Sequence, residues 1–194
     1  MSLLDHPVIY FLRHGQTSLN AADLICGATD VPLSNLGRRQ ADDAARAWRD
    51  LPIGRLIVSP LLRARQTADA FVRQRPGLRV EVAPLLAERN WGAWEGQPRA
   101  ALARGATPDG GESPHAFRDR IRAGVAAITV QQGVPLIVAH SGTIREIMVQ
   151  LDLPFHRPGN CELLTLSRNH RGIWSATPLR LAPDTPVSNP KRIA

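Results

Sequence analysis

Lysine is nearly absent from this chain, cysteine is scarce, and no long apolar run occurs. Each shortage excludes something. Lys191 is the single lysine among 24 basic residues, so arginine carries the positive charge. A net charge of +7 raises nucleic acid as a partner. The arginines, however, are scattered and interleaved with acids, as over residues 38–50, and no basic run alternates with aromatics. Solvated helix faces plus a few anion-binding arginines account for that pattern, and no nucleic-acid partner is expected. Arginine also suits a two-pronged grip on phosphate better than lysine does. The two cysteines, Cys26 and Cys161, are far apart and form no CxxC motif. That argues against a disulfide scaffold or zinc site and for a reducing, cytoplasmic setting. No stretch is apolar for long enough to span a bilayer, so no membrane partner is expected. Residues 8–12 follow Asp5, His6 and Pro7 without a basic lead-in, and read as a strand rather than a signal peptide.

What remains is an ordinary globular composition, 43% apolar and 21% charged over 194 residues. One domain is expected over residues 1–182, followed by a Pro-rich polar tail at 183–194. Strand-like and helix-like segments alternate. Residues 8–12, 56–58, 79–82 and 136–139 read as strands. Residues 34–51 have helical spacing of Leu36, Ala41, Ala44, Ala45 and Trp48, with Ser34 as the start. Ser59-Pro60 reads as a second helix start, Ser as N-cap and Pro at the first helical position, running to about Arg73. Residues 113–132 place Phe117, Ile121, Val125 and Ile128 on one stripe, and 143–151 read as a further helix. Residues 162–167 and 172–177 form a hairpin across 169–172. Residues 83–111 are loop-rich. This order predicts an α/β sandwich with a largely parallel sheet and an antiparallel edge.

Two strands run into histidine motifs, Arg13-His14-Gly15-Gln16-Thr17 and His140-Ser141-Gly142-Thr143. Open α/β sheets bind ligands beyond the carboxyl ends of their strands. If those strands are parallel neighbours, both histidines share that edge, with glycine letting backbone amides approach an anion. Arg63 lies just after another strand and reaches the same crevice. Glu88 sits in a loop with Trp91 and Trp94, where desolvation would favour a proton-donating carboxyl. Each residue alone has a structural explanation; their joint placement beyond strand ends marks them as a site.

These residues resemble the histidine phosphatase superfamily, which includes the cofactor-dependent phosphoglycerate mutases. The matching run is Leu12 to Thr17 with Asn20, Asp30 to Ser34 with Gly37 and Gln40-Ala41, Ser59-Pro60-Leu61 with Arg63-Ala64 and Gln66-Thr67-Ala68, Glu88-Arg89 with Gly92 and Trp94-Glu95-Gly96, Gly110 to Ser113, and His140 with Gly142 and Ile144-Arg145. The resemblance implies a three-layer sandwich, helices covering both faces of a mostly parallel central sheet that ends in an antiparallel edge. It implies His14 as nucleophile, Arg13, Arg63 and His140 gripping the phosphoryl oxygens, and Glu88 as general acid and then base. It further implies a hydrogen bond from Asn20 to the phosphoryl group, with Cys26, Gly27 and Ser141 at the substrate. No cofactor and no metal ion are expected, and the partner is a small-molecule phosphate ester; a homodimer stays open.

Three other readings are weaker. A mutase of this family carries a longer, basic insert between the Glu motif and the Gly-Gly motif, whereas here only residues 97–109 intervene. A metal site on His14, His140 and Glu88 would set Arg13 and Arg63 beside a cation, which is repulsive. A non-catalytic binding module would not need the full set of nucleophile, acid and arginines. A phosphoprotein phosphatase of the same fold stays open, although a lid built from Trp91, Trp94 and residues 99–104 would favour small molecules; the substrate cannot be read from these residues, and its specificity is expected to sit in residues 24–30, 89–109 and 157–161.

Overall fold

The computed structural model describes residues 1–130 and 132–179. The tail expected at 183–194, and the last residues of the domain expected to end at 182, lie outside the described residues. Among the described residues no helix is long and apolar enough to cross a membrane.

Six strands form one sheet: β1 (Val8–Arg13), β2 (Ile53–Val58), β3 (Arg79–Val82), β4 (Val134–Ala139), β5 (Leu163–Arg168) and β6 (Trp174–Leu179), in the order β3-β2-β4-β1-β5-β6. The first four in that order are parallel; β5 and β6 complete it antiparallel. Helices α2 (Asn35–Ala47) and α3 (Leu62–Gln74) join β1 to β2 and β2 to β3, moving one way across the sheet. Helix α4 (Pro114–Ala127) returns the chain from β3 to β4, and α5 (Ser141–Gln150) follows β4. Right-handed crossovers in opposite directions put these pairs on opposite faces. A one-turn helix, α1 (Ser18–Ala21), follows β1 and has no counterpart in the expected elements.

Side-chain alternation divides the core accordingly. Tyr10, Leu12, Leu56, Val58, Leu136 and Val138 pack with Ala41, Ala44, Ala68 and Phe71 of α2 and α3. Ile9, Phe11, Ile57, Ile137 and Ala139 pack with Phe117, Ile121, Val125, Ile144 and Ile147 of α4 and α5. This is the expected three-layer sandwich.

Several element boundaries differ from expectation: α2 ends at Ala47 rather than 51, β2 begins at Ile53 rather than 56, and three helix boundaries nearer the site also move. Helix α3 begins at Leu62 rather than at Ser59-Pro60, and Leu61 is its N-cap residue. The Ser59 hydroxyl is engaged instead with His140 Nε2 at 2.6 Å, and the Leu62 N–H donates to Asp30 Oδ1 at 2.6 Å. A remote carboxylate thus does the capping expected of the local serine. Helix α4 stops at Ala127 because the Ile128 carbonyl accepts from the Leu3 N–H and Thr129 pairs with Ser2, drawing the chain into extended contact with the N-terminus. Helix α5 starts at Ser141, two residues before the expected start.

Replacing Phe11, fully buried between the sheet and α4–α5, with alanine is expected to cost about 3–5 kcal/mol. Val80→Ala on the exposed edge strand is expected to stay within about 0.5 kcal/mol. Urea unfolding of both variants checks this, and equal losses would contradict the assigned faces.

Candidate active site

The four parallel strands end at one edge of the sheet, and each delivers part of a single cluster. Arg13 of β1 and Ala139 of β4 are register partners, so His14 and His140 leave the sheet side by side. The His14 N–H donates to the Ala139 carbonyl at 3.0 Å, and the Ser59 N–H after β2 donates to the Val138 carbonyl at 3.0 Å. Strand β3 leads through a short turn (Pro84–Leu86) to Glu88. The two imidazole centroids are 5.1 Å apart.

His14 is buried, and its Nδ1 meets the Gly15 carbonyl at 2.7 Å. Burial, then Arg63 and Arg13, push its pKa well below the usual 6.5. A neutral ring that donates through Nδ1 keeps a lone pair on Nε2. Burial, then Arg63, likewise hold His140 neutral. The His140 Nε2 meets Ser59 Oγ, and its buried Nδ1 has no partner.

Arg63 has no exposed surface. Its Nη1 donates to the Thr29 carbonyl at 2.9 Å and its Nη2 to the Gly27 carbonyl at 2.7 Å. Arg13 donates through Nη1 to the Pro158 carbonyl at 2.9 Å, and burial, then Arg157, bring its pKa down to about 10. Neither arginine forms an ion pair with a carboxylate among the described residues. The buried Nε atoms of both also lack partners. A buried cation without a counter-ion is costly, and an arriving anion removes that cost. Two such cations beside unpartnered donors make an anion site.

Glu88 is buried, with Oε1 accepting from the Arg89 N–H and Oε2 from the Gly142 N–H, both at 2.9 Å. Backbone amides therefore hold this carboxyl group. The expected indoles are close by: Trp91 stacks on Trp94 at 6.2 Å and lies under the Arg89 guanidinium. Gly142 is required here, because a β-carbon on it would run into the Glu88 carboxylate.

The cleft above His14 is walled by Arg13, Asn20, Cys26, Glu88 and Ser141, all anticipated, and by Arg99, Arg104 and Arg157, which come from the segments expected to set specificity. Arg63 and His140 have no exposed surface and do not line the cleft. Asn20 uses its side-chain oxygen on the Thr17 N–H at 3.2 Å and on Asn160, leaving its amide nitrogen as the free donor. Burial pushes the Cys26 thiol up, so it stays protonated at neutral pH. Gly27 does not line the cleft; it supports Arg63 through its carbonyl and receives Glu95 Oε2 on its N–H at 2.9 Å. Thr67, in the matching run, and Asn160, in the 157–161 specificity segment, had no role assigned from the sequence. Thr67 Oγ1 accepts from the Gly15 N–H at 3.0 Å and donates to the Arg63 carbonyl, tying the two motifs together. Asn160 donates to the His14 carbonyl at 2.9 Å. Thr67 stands one helical turn after Arg63, whereas Asn160, in an irregular segment, has no periodicity that would assign its contact. Among the described residues no group of three or more His, Cys, Asp or Glu side chains is placed to hold a metal ion.

The depressed histidines make stability depend on pH in a defined direction. Below about pH 6.5 the unfolded imidazoles take up protons that the folded ones refuse. The unfolded state then binds more protons, so stability falls as pH drops from about 6.5 toward the folded values, and this contribution is flat above. The slope reaches about 1.4 kcal/mol per pH unit for each imidazole. Urea unfolding at about pH 7 and pH 5.5 is expected to lose part of that slope in the His14→Ala variant. A native His14 ring proton that titrates near 6.5 by NMR would contradict the assignment.

Comparison with known proteins bears on the family and the fold. The family described as "Histidine phosphatase superfamily (branch 1)" matches residues 9–177. The chain is 36% identical to Fructose-2,6-bisphosphatase TIGAR of Xenopus laevis over 53% of this chain and 39% of that protein, so it spans well under two thirds of that relative. It is 32% identical to the Probable phosphoglycerate mutase GpmB of Yersinia pestis, over 80% of this chain and 82% of that one. The native structure of a mycobacterial glucosyl-3-phosphoglycerate phosphatase superposes with a TM-score of 0.75 at 27% identity, covering 91% of this chain and 99% of that chain.

Proposed function

The chain belongs to the histidine phosphatase superfamily, and from that premise we propose that it hydrolyses a small-molecule phosphomonoester through a phosphohistidine on His14. Phosphoryl transfer is the chemistry common to the relatives. The observation that carries the finer reading is His14 itself, neutral, with Nδ1 committed to Gly15 and two buried, unpaired guanidinium groups beside it.

The Nε2 lone pair attacks phosphorus as the bond from phosphorus to the ester oxygen breaks. The leaving oxygen takes a proton from the Glu88 carboxyl. Glu88, now a carboxylate, accepts a proton from water, whose oxygen attacks phosphorus; the phosphorus–nitrogen bond breaks and inorganic phosphate leaves. Two easier displacements replace one hard one. Arg13, Arg63 and the His140 Nδ1–H stabilise the negative charge that spreads over the equatorial oxygens in each. The Asn20 amide adds a donor, and Ser141, at the start of α5, and Cys26 border the substrate. None of these steps calls for a metal ion.

Identity with a protein named as a probable phosphoglycerate mutase supports a second reading, in which the phosphoryl group returns to substrate. The short segment between Gly96 and Gly110 favours hydrolysis, since it leaves little to enclose an intermediate against water.

His14→Ala is expected to abolish turnover of p-nitrophenyl phosphate, and Glu88→Gln to lower kcat on the order of 10²–10⁴-fold, while chelators leave the wild type active. Rapid quench with labelled substrate is expected to trap an acid-labile, base-stable phosphoenzyme. Label retained in His14→Ala would move the nucleophile elsewhere; zinc-rescued loss of activity in chelator would replace the mechanism. A mutase assay primed with 2,3-bisphosphoglycerate separates the two readings.

A further inference from the structure

Residues 87–91, which carry Glu88, follow the short turn Pro84–Leu86 with no helix or strand of their own. Backbone carbonyls in such a stretch need partners from elsewhere. Here four consecutive carbonyls, those of Leu85, Leu86, Ala87 and Glu88, are taken by side chains of the two helices packed against them. Thr143 Oγ1 of α5 donates to the Leu86 carbonyl at 3.2 Å. Arg120 of α4 holds the other three. Its Nη1 donates to Leu85 at 2.8 Å and to Ala87 at 3.0 Å, and its Nη2 to Glu88 at 3.3 Å.

The remaining donors of Arg120 meet Glu112. Nε donates to Oε1 at 2.9 Å and Nη2 to Oε2 at 2.8 Å, a two-pronged ion pair. A guanidinium has five N–H donors, and Arg120 commits all five. Glu112 is fixed in turn. Its N–H donates to the Asn90 carbonyl at 2.8 Å, its carbonyl accepts from Arg89 Nε at 2.9 Å, and it directly precedes Ser113, the N-cap of α4. The two side chains are only 23% and 15% exposed, so solvent screens the pair less than one on the surface. Neither residue lines the cleft.

The two amides on the Glu88 carboxyl group differ in kind. The Arg89 N–H belongs to the next residue and moves with the stretch, whereas the Gly142 N–H belongs to α5. Gly142 is thus one outside anchor, at the carboxyl group. Arg120 is another, at the backbone of the same residue. A group that passes a proton must lie within about 2.6–3.2 Å of the atom that receives it, and a displacement of about 1 Å costs on the order of 10²-fold.

We propose that Arg120 and Glu112 are a positioning pair for proton transfer: Arg120 fixes the Glu88 backbone so that its carboxyl group meets the leaving oxygen, and Glu112 fixes the guanidinium that does so. The proposal rests on the reading of Glu88 as the acid that protonates that oxygen. The pair touches neither substrate nor phosphorus and acts only through Glu88.

The test reads dependence on the leaving group, which a merely structural role would not move. On the whole protein, kcat/KM is measured for ring-substituted phenyl phosphates from p-nitrophenyl phosphate to unsubstituted phenyl phosphate. The nitrophenolate departs with little need of a proton, and the plain phenolate needs one. Wild type is expected to vary little along the series, and Glu88→Gln to fall steeply toward the poorer leaving groups. Arg120→Lys keeps the charge beside Glu112 but loses the fork, and Glu112→Gln keeps the shape but loses the charge. Both are expected to steepen the series toward Glu88→Gln, phenyl phosphate losing roughly ten- to hundredfold more than p-nitrophenyl phosphate. Arg122→Ala, an exposed arginine of the same helix, is expected to follow wild type. A uniform loss along the series, or none, in both pair variants while Glu88→Gln steepens overturns the pair and leaves the phosphatase reading intact. No steepening in Glu88→Gln itself overturns the acid and the pair with it. If wild type turns over none of these esters, amide hydrogen exchange decides. The Gly142 N–H, whose partner is Glu88, is then expected to exchange faster in the pair variants while the Leu12 N–H of β1 keeps its wild-type rate. Rates unchanged, or raised equally at both amides, overturn the pair.

Discussion

Arg63 is a guanidinium with no exposed surface and only neutral carbonyl groups for partners. Much of the site follows from that arrangement. A positive charge this deep, in low dielectric, disfavours any second positive charge nearby. It is the leading electrostatic influence on both imidazoles after burial itself. A protonated imidazole cannot attack phosphorus, so the charge that would bind a phosphoryl group also keeps its proposed acceptor reactive. Holding such a charge in place takes rigid acceptors, and the Gly27–Thr29 loop supplies them. That loop is itself fixed by Glu95, whose carboxylate takes the N–H groups of Gly27, Ala28 and Trp91.

The sheet turns these local demands into one place. Four parallel strands end at one edge, and the residues just past them, His14, Ser59, His140 and, after a turn, Glu88, need not be near one another in sequence. Hydrogen bonds then lock the pieces across elements. Ser59 and His140 are joined across β2 and β4, Gly142 and Glu88 across α5 and the loop after β3, and Thr67 and Gly15 across α3 and β1. Rigidity matters because electrostatic stabilisation of a transferring group depends on donors that do not reorganise when the charge develops.

How much of this was legible beforehand depended on whether the signal was local. Strand and helix identity followed from apolar periodicity, and the carboxyl-edge argument brought His14, His140 and Arg63 together because each stands directly after a strand. The start of α3 was misread because Ser59 has two uses for one hydroxyl, and only the fold shows that His140 takes it. Glu88 was expected to be shaped by indoles, but the amides of Arg89 and Gly142 reach it first, a contact made by residues 54 positions apart. Gly27 was placed at the substrate and instead serves Arg63. Arg157 and Asn160 stand in an irregular loop expected to take part in specificity, but only the folded chain shows that Arg157 lines the cleft and that Asn160 holds the His14 carbonyl.

The positive charge around the cleft is held in two ways. Arg13 and Arg63 are buried and hydrogen-bonded to fixed carbonyls, so they are set for a group of one size and geometry. Arg104 and Arg157, also on the cleft wall, are exposed on irregular segments. Buried, fixed charge is costly in the resting protein and becomes favourable only once an anion is enclosed. Exposed charge costs little at rest but is screened by salt and contributes less. The buried pair is therefore the part of the cleft that the sheet, its two cores and the paired imidazoles hold in place, while the exposed arginines can be replaced without disturbing that frame.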